Sequence, residues 1–401
     1  MKTKLFFIVG LAIIGLKINA QTAYITNNDD NTVTVINVAT NNVIDTIAVG
    51  NVPGGVSASP DGSKVYVANF VDNTVSVINT ATNTVTATIT VGNEPRSLYV
   101  SPDGSKVYVV NQGNNTVNVI NTATNIVSDT IAVGNNPIGV SVSPYGSKAY
   151  VANWSDNTVS VIAYTNIVID TITVGSEPRG VSASPDGSKI YVGNWGDGTV
   201  SVIDRATDTV SATITVGSMP YGLSVSYDGS KVYVSNYGDS TVMVINSATN
   251  TVSATIKVGV KPAGISVSPD MSKVYVANSS DNTVSVINVA TNTVTDTIAV
   301  GAGPSAFGNF ISPYIQTVGI APQSMVLAGV EVYPNPVTDK ITVEAPQQAT
   351  IEITNIQGQL IKTFTTTGNK INIDVSAFPG GVYIVEVKTE KGVEVRKFVK
   401  E

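Results

Sequence analysis

The chain is 401 residues long, carries a formal charge of −7 and contains neither Cys nor His. Those absences exclude disulfides, thiolate metal sites, thiol nucleophiles and His-centred acid–base chemistry, so the fold must be held by its own core, and no metal or cofactor is expected. Val, Thr, Ile, Asn and Gly crowd out the helix formers, which predicts an all-β protein.

Residues 1–20 open with Lys2 and Lys4, continue as an apolar stretch over 5–16 that is short for a bilayer span, and end on Ile18-Asn19-Ala20. This is the pattern of a secretory signal peptide removed before Gln21. The competing reading is an uncleaved anchor. An acylated lipoprotein is excluded, because there is no Cys to carry the lipid. The expectation is export, with no transmembrane anchor in the mature chain.

From Ala23 one unit is written seven times, restarting at Val65, Val107, Ala149, Ile190, Val232 and Val274. Units span 42 residues except the fourth, which has 41. That period fits four short strands. "VYVAN" reads as strand B, "TVSVIN" as C and "TVTATITVG" as D. "GVSVS", which follows an "NxP" step, reads as A. "SPDGSK" and "NTATNT" are turn sequences. Both faces of "VYVAN" are apolar or small, so each sheet needs a neighbour on either side. Seven sheets around an axis meet that demand, giving a seven-bladed β-propeller over residues 21–313. An open row would leave two apolar ends uncovered. The chain enters at strand B and leaves on an extra strand A, "SAFGNFIS". Strand 305–312 is therefore expected to pair with the N-terminal blade and close the ring, with Ala306–Ile311 beside Ala23–Asn27.

The combination "VYVAN…NTVSVIN…TATI.VG..P.GVSVSPDGSK" resembles the YVTN-type β-propeller repeat of bacterial and archaeal surface proteins. The resemblance spans the seven units and implies a seven-bladed propeller, often extracellular, with no single activity. The Gly-His and Trp-Asp pairs of the other common propeller repeat are missing.

Residues 314–330 read as an uncharged linker. Residues 331–401 alternate strands with Gly turns and predict a small Ig-like β-sandwich. Their landmarks are Tyr333-Pro334-Asn335-Pro336, then Asn355 to Gly358, Gly380-Gly381-Val382-Tyr383 and Arg396-Lys397. This order resembles the C-terminal sorting domain of the type IX secretion system. The resemblance implies Tyr333, Pro334, Asn335, Pro336, Gly381, Tyr383 and Lys397 as motif positions and the type IX machinery as partner. It also implies a product secreted or attached to the outer cell surface, commonly with the domain removed on export. A plain Ig-like accessory module is the alternative.

The seven units share one plan, so their differences show where the chain departs from it. The A–B and C–D turns, on one face, hardly change. The D–A and B–C loops, on the other, do. After the Asn that ends strand B come Asn28, Phe70, Gln112, Trp154, Trp195, Tyr237 and Ser279. Trp154, Trp195 and Tyr237 fall in consecutive units and predict an aromatic arc. In the D–A loops, "GNEPRS" places Glu94 and Arg96 at the channel rim, and "GSEPRG" does so with Glu177 and Arg179. Tyr221 and Lys261 hold related positions. Aromatics beside charged groups suit stacking on sugars or peptide side chains, and Arg suits carboxylates. The bland alternative is that the rings cover blade edges and that the Glu–Arg pairs bridge one another.

Asp72, Asp156, Asp197, Asp239 and Asp281 recur once per hairpin. Calcium needs six to eight converging oxygens, so these read as turn residues. Asp45-Thr46-Ile47, Asp129-Thr130-Ile131, Asp170-Thr171-Ile172 and Asp296-Thr297-Ile298 resemble the short O-glycosylation sequon of bacteria that use type IX secretion, on strand D where access is best. The motif is short, and repeat copying is the competing explanation.

The function expected is a secreted or cell-surface binding or adhesion module, monomeric, whose variable face takes a glycan, polymer or protein. The alternative is a surface coat without a specific ligand. A lactonase- or lyase-like enzyme is disfavoured by the missing His, and no catalytic residue is assigned. Residues 21–313 hold 20 Asp and Glu against 11 Lys and Arg, which argues against a nucleic-acid partner.

Overall fold

The computed structural model describes residues 21–144, 146–312 and 330–401, except 346, 348, 356–359 and 390–391. The expected signal peptide, residues 1–20, and most of the expected linker, residues 314–330, lie outside the described residues. The chain divides into two compact units, residues 1–316 and 317–401.

Among its described residues the first unit is strands and connecting loops, with one short 3-10 turn at Gln112–Asn114. It holds seven consecutive antiparallel sheets, each with its strands in chain order. The first has three strands, Thr22–Asn27, Thr32–Asn37 and Val43–Ala48. The second has four: A at Pro53–Ala58, B at Lys64–Asn69, C at Thr74–Asn79 and D at Thr84–Thr90. Five more repeat that plan. Burial falls from the inside outward. Lys64–Asn69 is buried throughout after its first residue, whereas in Thr84–Thr90 only Ile89 is fully covered. A strand buried on both faces must pack between neighbours. Tyr66, Val75 and Val77 of the second sheet accordingly share a core with Leu98, Val107 and Val109 of the third. Sheets one, two and seven also share a core, joining Ala23 and Val33, Val56 and Val65, and Tyr275 and Val284, so the row closes into a ring.

The repeat's invariant letters hold the sheets together. The Asn ending strand B is buried and its amide donates across to strand C; Asn69 Nδ2 reaches Thr74 Oγ1 at 3.0 Å and Ser76 Oγ at 2.9 Å. The once-per-hairpin Asp accepts from the incoming loop. Asp72 takes the Asn51 N–H at 2.7 Å, and Asp156 takes that of Asn135 at 2.7 Å. These contacts press the loop so close that a Cβ on Gly50 would lie 2.6 Å from both Asn69 Cγ and Asp72 Oδ2. The Lys of "SPDGSK" reaches the C–D turn of the following sheet, as Lys64 Nζ does to the Thr122 carbonyl at 3.0 Å. At the closing junction Lys273 Nζ donates to the Val38 carbonyl at 2.6 Å, and the Tyr275 hydroxyl donates to it at 3.0 Å.

Residues 304–312 complete the first sheet. Ile311 bridges Ala23 and Pro304 bridges Asn27, both antiparallel. The Tyr24 N–H donates to the Phe310 carbonyl at 2.9 Å, and the Ser305 N–H to that of Thr26 at 2.9 Å. The segment is two residues longer between its prolines (Pro304 to Pro313) than an ordinary strand A (Pro137 to Pro144). The extra length keeps it from forming a regular strand. It swings toward the second sheet, where the Val56 N–H donates to the Phe307 carbonyl at 3.1 Å and the Ala58 N–H to that of Asn309 at 3.0 Å. Phe307 enters the central channel, edge-on to Tyr221 at 5.3 Å between ring centres.

The second unit is two sheets over one core. One holds Glu331–Tyr333, Lys340–Glu344 and Lys370–Asp374; the other holds Leu360–Thr365, Thr350–Asn355, Gly381–Thr389 and Gly392–Lys400. Ile341, Ile351, Val385 and Phe398 lie in the core. The motif positions meet at one end. Tyr333-Pro334 and Asn335-Pro336 are cis. Asn335 brackets the last strand, donating from Nδ2 to the Lys397 carbonyl at 3.2 Å and accepting the Val399 N–H at 2.8 Å. Gly381 begins the strand that pairs with it, and Tyr383, buried against Phe398 at 5.3 Å, donates to the Pro379 carbonyl at 2.9 Å. Tyr333 donates to Glu344 Oε1 at 2.5 Å.

Candidate functional site

The D–A and B–C loops meet at one mouth of the channel. Hairpin backbone bonds fix their relation, with the Trp195 N–H donating to the Glu177 carbonyl at 3.0 Å and the Tyr237 N–H to that of Met219 at 3.0 Å. The residue before the loop Pro takes a left-handed backbone, as at Glu94 (φ 55°) and Glu177 (φ 55°). Its N–H is captured by the hairpin of the preceding unit: Asn73 Oδ1 accepts from Glu94 at 2.8 Å and Asn157 Oδ1 from Glu177 at 2.8 Å. This throws the side chain before the Pro outward and the one after it inward. The residues following the Pro (Gly54, Arg96, Ile138, Arg179, Tyr221 and Ser305) thereby form a wall, and Phe70 and Phe307 complete a narrow cavity of about 30 Å³.

Trp154, Trp195 and Tyr237 form one continuous cluster. Trp195 lies 5.9 Å from Trp154 and 5.2 Å from Tyr237, and Tyr221 stacks on Tyr237 at 5.6 Å. All four rings are half-buried. Arg179 is inserted among them, its guanidinium 3.7 Å from the Tyr221 ring centre, 4.8 Å from Trp195 and 5.6 Å from Trp154. It is only 8% exposed, and its Nε is buried without a hydrogen-bond partner. Burial holds its pKa below the ordinary value. Burial acts to raise Tyr221, but Arg179, then Arg96, with contacts from Ser305 and Arg179, bring it below the ordinary value.

Phe70 stands apart from the cluster and carries Arg96, 5.1 Å above its ring. Lys261 is exposed, 5.8 Å from the Tyr237 ring. Glu94 and Glu177 are not ion-paired with Arg96 and Arg179. The carboxyl ends of Glu94 and Glu177 lie over Gly113 and Gly196 of their own hairpins, each 3.3 Å from where a Cβ would sit. Among the described residues no group of acidic side chains is arranged to hold a metal ion. Thr46, Thr130, Thr171 and Thr297 are all exposed on outer strands.

The other mouth holds a wider cavity of about 390 Å³, lined by Tyr99, Tyr227, Asn309 and the turn residues Pro60, Pro102, Pro144 and Pro185. Reading the turns as constant passed over it. The signal was present: Tyr99 stands where other units carry Ser57 or Ser141, and Tyr227 where they carry Pro60 or Pro102.

Comparison with known proteins bears on both units. Residues 331–401 match the secretion system C-terminal sorting domain, residues 57–166 a YNCE-like beta-propeller, and residues 130–304 the choice-of-anchor I domain. No curated protein matches the chain. Among solved structures it is similar to hydrazine synthase of Kuenenia stuttgartiensis, at 24% identity and a TM-score of 0.62, over 71% of this chain and 99% of that one. It is also similar to a functionally unknown protein from Desulfotomaculum acetoxidans, at 18% identity and 0.63, over 72% and 100%. At these identities the likeness shows the fold alone. Among the described residues no helix is long and apolar enough to cross a membrane. These matches show a YNCE-like beta-propeller followed by a type IX secretion sorting domain at residues 331–401, the features of a secreted or cell-surface protein.

Proposed function

We propose that the protein is a monomeric, non-catalytic binding or adhesion module. Its seven sheets are the blades of one propeller, and its Ig-like tail, addressed to the secretion machinery, delivers that propeller to the cell exterior. The D–A and B–C loop face is the binding face. One observation carries this reading: Trp154, Trp195, Tyr237 and Tyr221 gather with Arg179 into one half-buried aromatic cluster at the mouth. A ring packed on one side and open on the other presents a large, stiff contact surface at little entropic cost. The lining of the mouth cavity contains no carboxylate, which weighs against acid–base catalysis there.

The chain's two tryptophans both lie in this cluster, so intrinsic fluorescence reports on it without labels. The full chain is titrated with neutral polysaccharides, acidic polysaccharides and peptides. A saturable emission shift with one class, lost in Trp154→Ala, supports the binding face. No shift with any class refutes it and leaves the coat reading.

A further inference from the structure

We infer that the mouth between Arg96 and Arg179 is a receptor for a single carboxylate carried on a saccharide. This rests on the loop-face reading above and names its ligand class. The two cations are a local departure, because the same position in other units is Gly54, Ile138, Tyr221, Ala263 and Ser305. Both arginines line one cavity, and among the described residues neither has a carboxylate partner. Their neighbouring acids, Glu94 and Glu177, lie over Gly113 and Gly196 instead. A chain of net charge −7 has thus placed two unpaired guanidiniums in a space that holds no acid.

Aromatic faces hold them there. Arg96 rests over Phe70, and Arg179 is covered by Tyr221, Trp195 and Trp154. Ring faces offset part of the cost of desolvating a cation but accept few of its N–H bonds. The Tyr221 hydroxyl contacts Arg179 and Ser305, but Arg179 Nε has no partner, which leaves a donor for an incoming anion. The cavity, about 30 Å³, admits a group of roughly water size. It takes the oxygens of a carboxylate projecting from a larger body, while the body stays outside. The surface outside is the arc of Trp154, Trp195 and Tyr237, whose rings suit the flat face of a sugar. An acidic saccharide meets both halves of the site at once.

The test is calorimetric titration of the full chain with trigalacturonate, its methyl ester, neutral galactotriose and a short peptide with a free α-carboxylate. Trp emission is followed in parallel. The acid should bind at least tenfold tighter than its ester, with affinity falling as salt rises. Arg96→Gln should lose at least tenfold toward the acid. Arg96 is only half-buried, so this variant tests the site even where Arg179→Gln disturbs the loops. Equal affinity for acid and ester, or an unaffected Arg96→Gln, overturns the inference, while any Trp154-dependent binding still upholds the binding face. Binding of the peptide without the trisaccharides overturns the saccharide assignment. Silence from every probe overturns both readings.

Discussion

Phe310→Ala tests how the ring is held shut. Phe310 is fully buried in the core shared by sheets one, two and seven. Its carbonyl accepts the Tyr24 N–H, a bond the substitution leaves available, so the change isolates the side chain. Truncating a buried Phe to Ala costs about 3–5 kcal/mol, from lost burial and the cavity left behind. Each sheet of such a ring contacts only its neighbours, so the loss should fall on the closing junction. At about 1.4 kcal/mol per tenfold, local opening should rise at least a hundredfold. Hydrogen exchange by mass spectrometry on the full chain reads this directly. Peptides covering Thr22–Asn27 should exchange early in the variant, while Trp154 and Trp195, in the fourth and fifth sheets, keep their native emission. Leu98→Ala, a buried change between sheets two and three, is the control and should leave Thr22–Asn27 protected. Unchanged protection at Thr22–Asn27 in Phe310→Ala, or loss spread evenly over all sheets, would refute the clasp argument.

Acid should weaken the ring. At the turn aspartates Asp61, Asp103, Asp186 and Asp270 burial acts to raise the pKa, but the flanking Ser hydroxyls and N–H groups outweigh it and hold them below the ordinary value. The folded state then binds protons less readily than the unfolded one. Their stabilisation is complete above the unfolded value of about 3.9 and is lost as pH falls below it toward the folded pKa, so urea midpoints should drop below about pH 4 and be flat above pH 5. Asp156→Ala removes the acceptor of the Asn135 N–H and should speed exchange in that loop with little change in global stability. Phe398→Ala, in the buried core of the tail, should cost about 3–5 kcal/mol there. It should abolish surface delivery in a secreting host while the ring's thermal transition stays in place. Lys273→Met removes the bond to the Val38 carbonyl and should lower the ring's urea midpoint, whereas Lys257→Met, on an exposed strand position, should not.

The repeat alone determined the strands, their order within each sheet and the need for neighbours on both faces, because a strand apolar on two sides has no other way to leave water. It also showed which loops depart from the common plan, and so which mouth carries Trp154, Trp195 and Tyr237. Tertiary structure decided which of those departures meet. In the sequence Glu94 and Glu177 stand next to the loop prolines as plainly as Arg96 and Arg179 do. The left-handed turn before each Pro sends the acids outward and the arginines inward, a choice made by hydrogen bonds from the preceding unit's hairpin. The once-per-hairpin aspartates needed the fold as well, since their partner is a loop N–H 21 residues back. The extra length of residues 304–313 was visible, but its result, Phe307 in the channel against Tyr221, depends on chain ends that meet only when the ring closes. Local pattern is written in short-range spacing. The convergence of side chains from several units upon one mouth is a property of the closed ring, which no single unit contains.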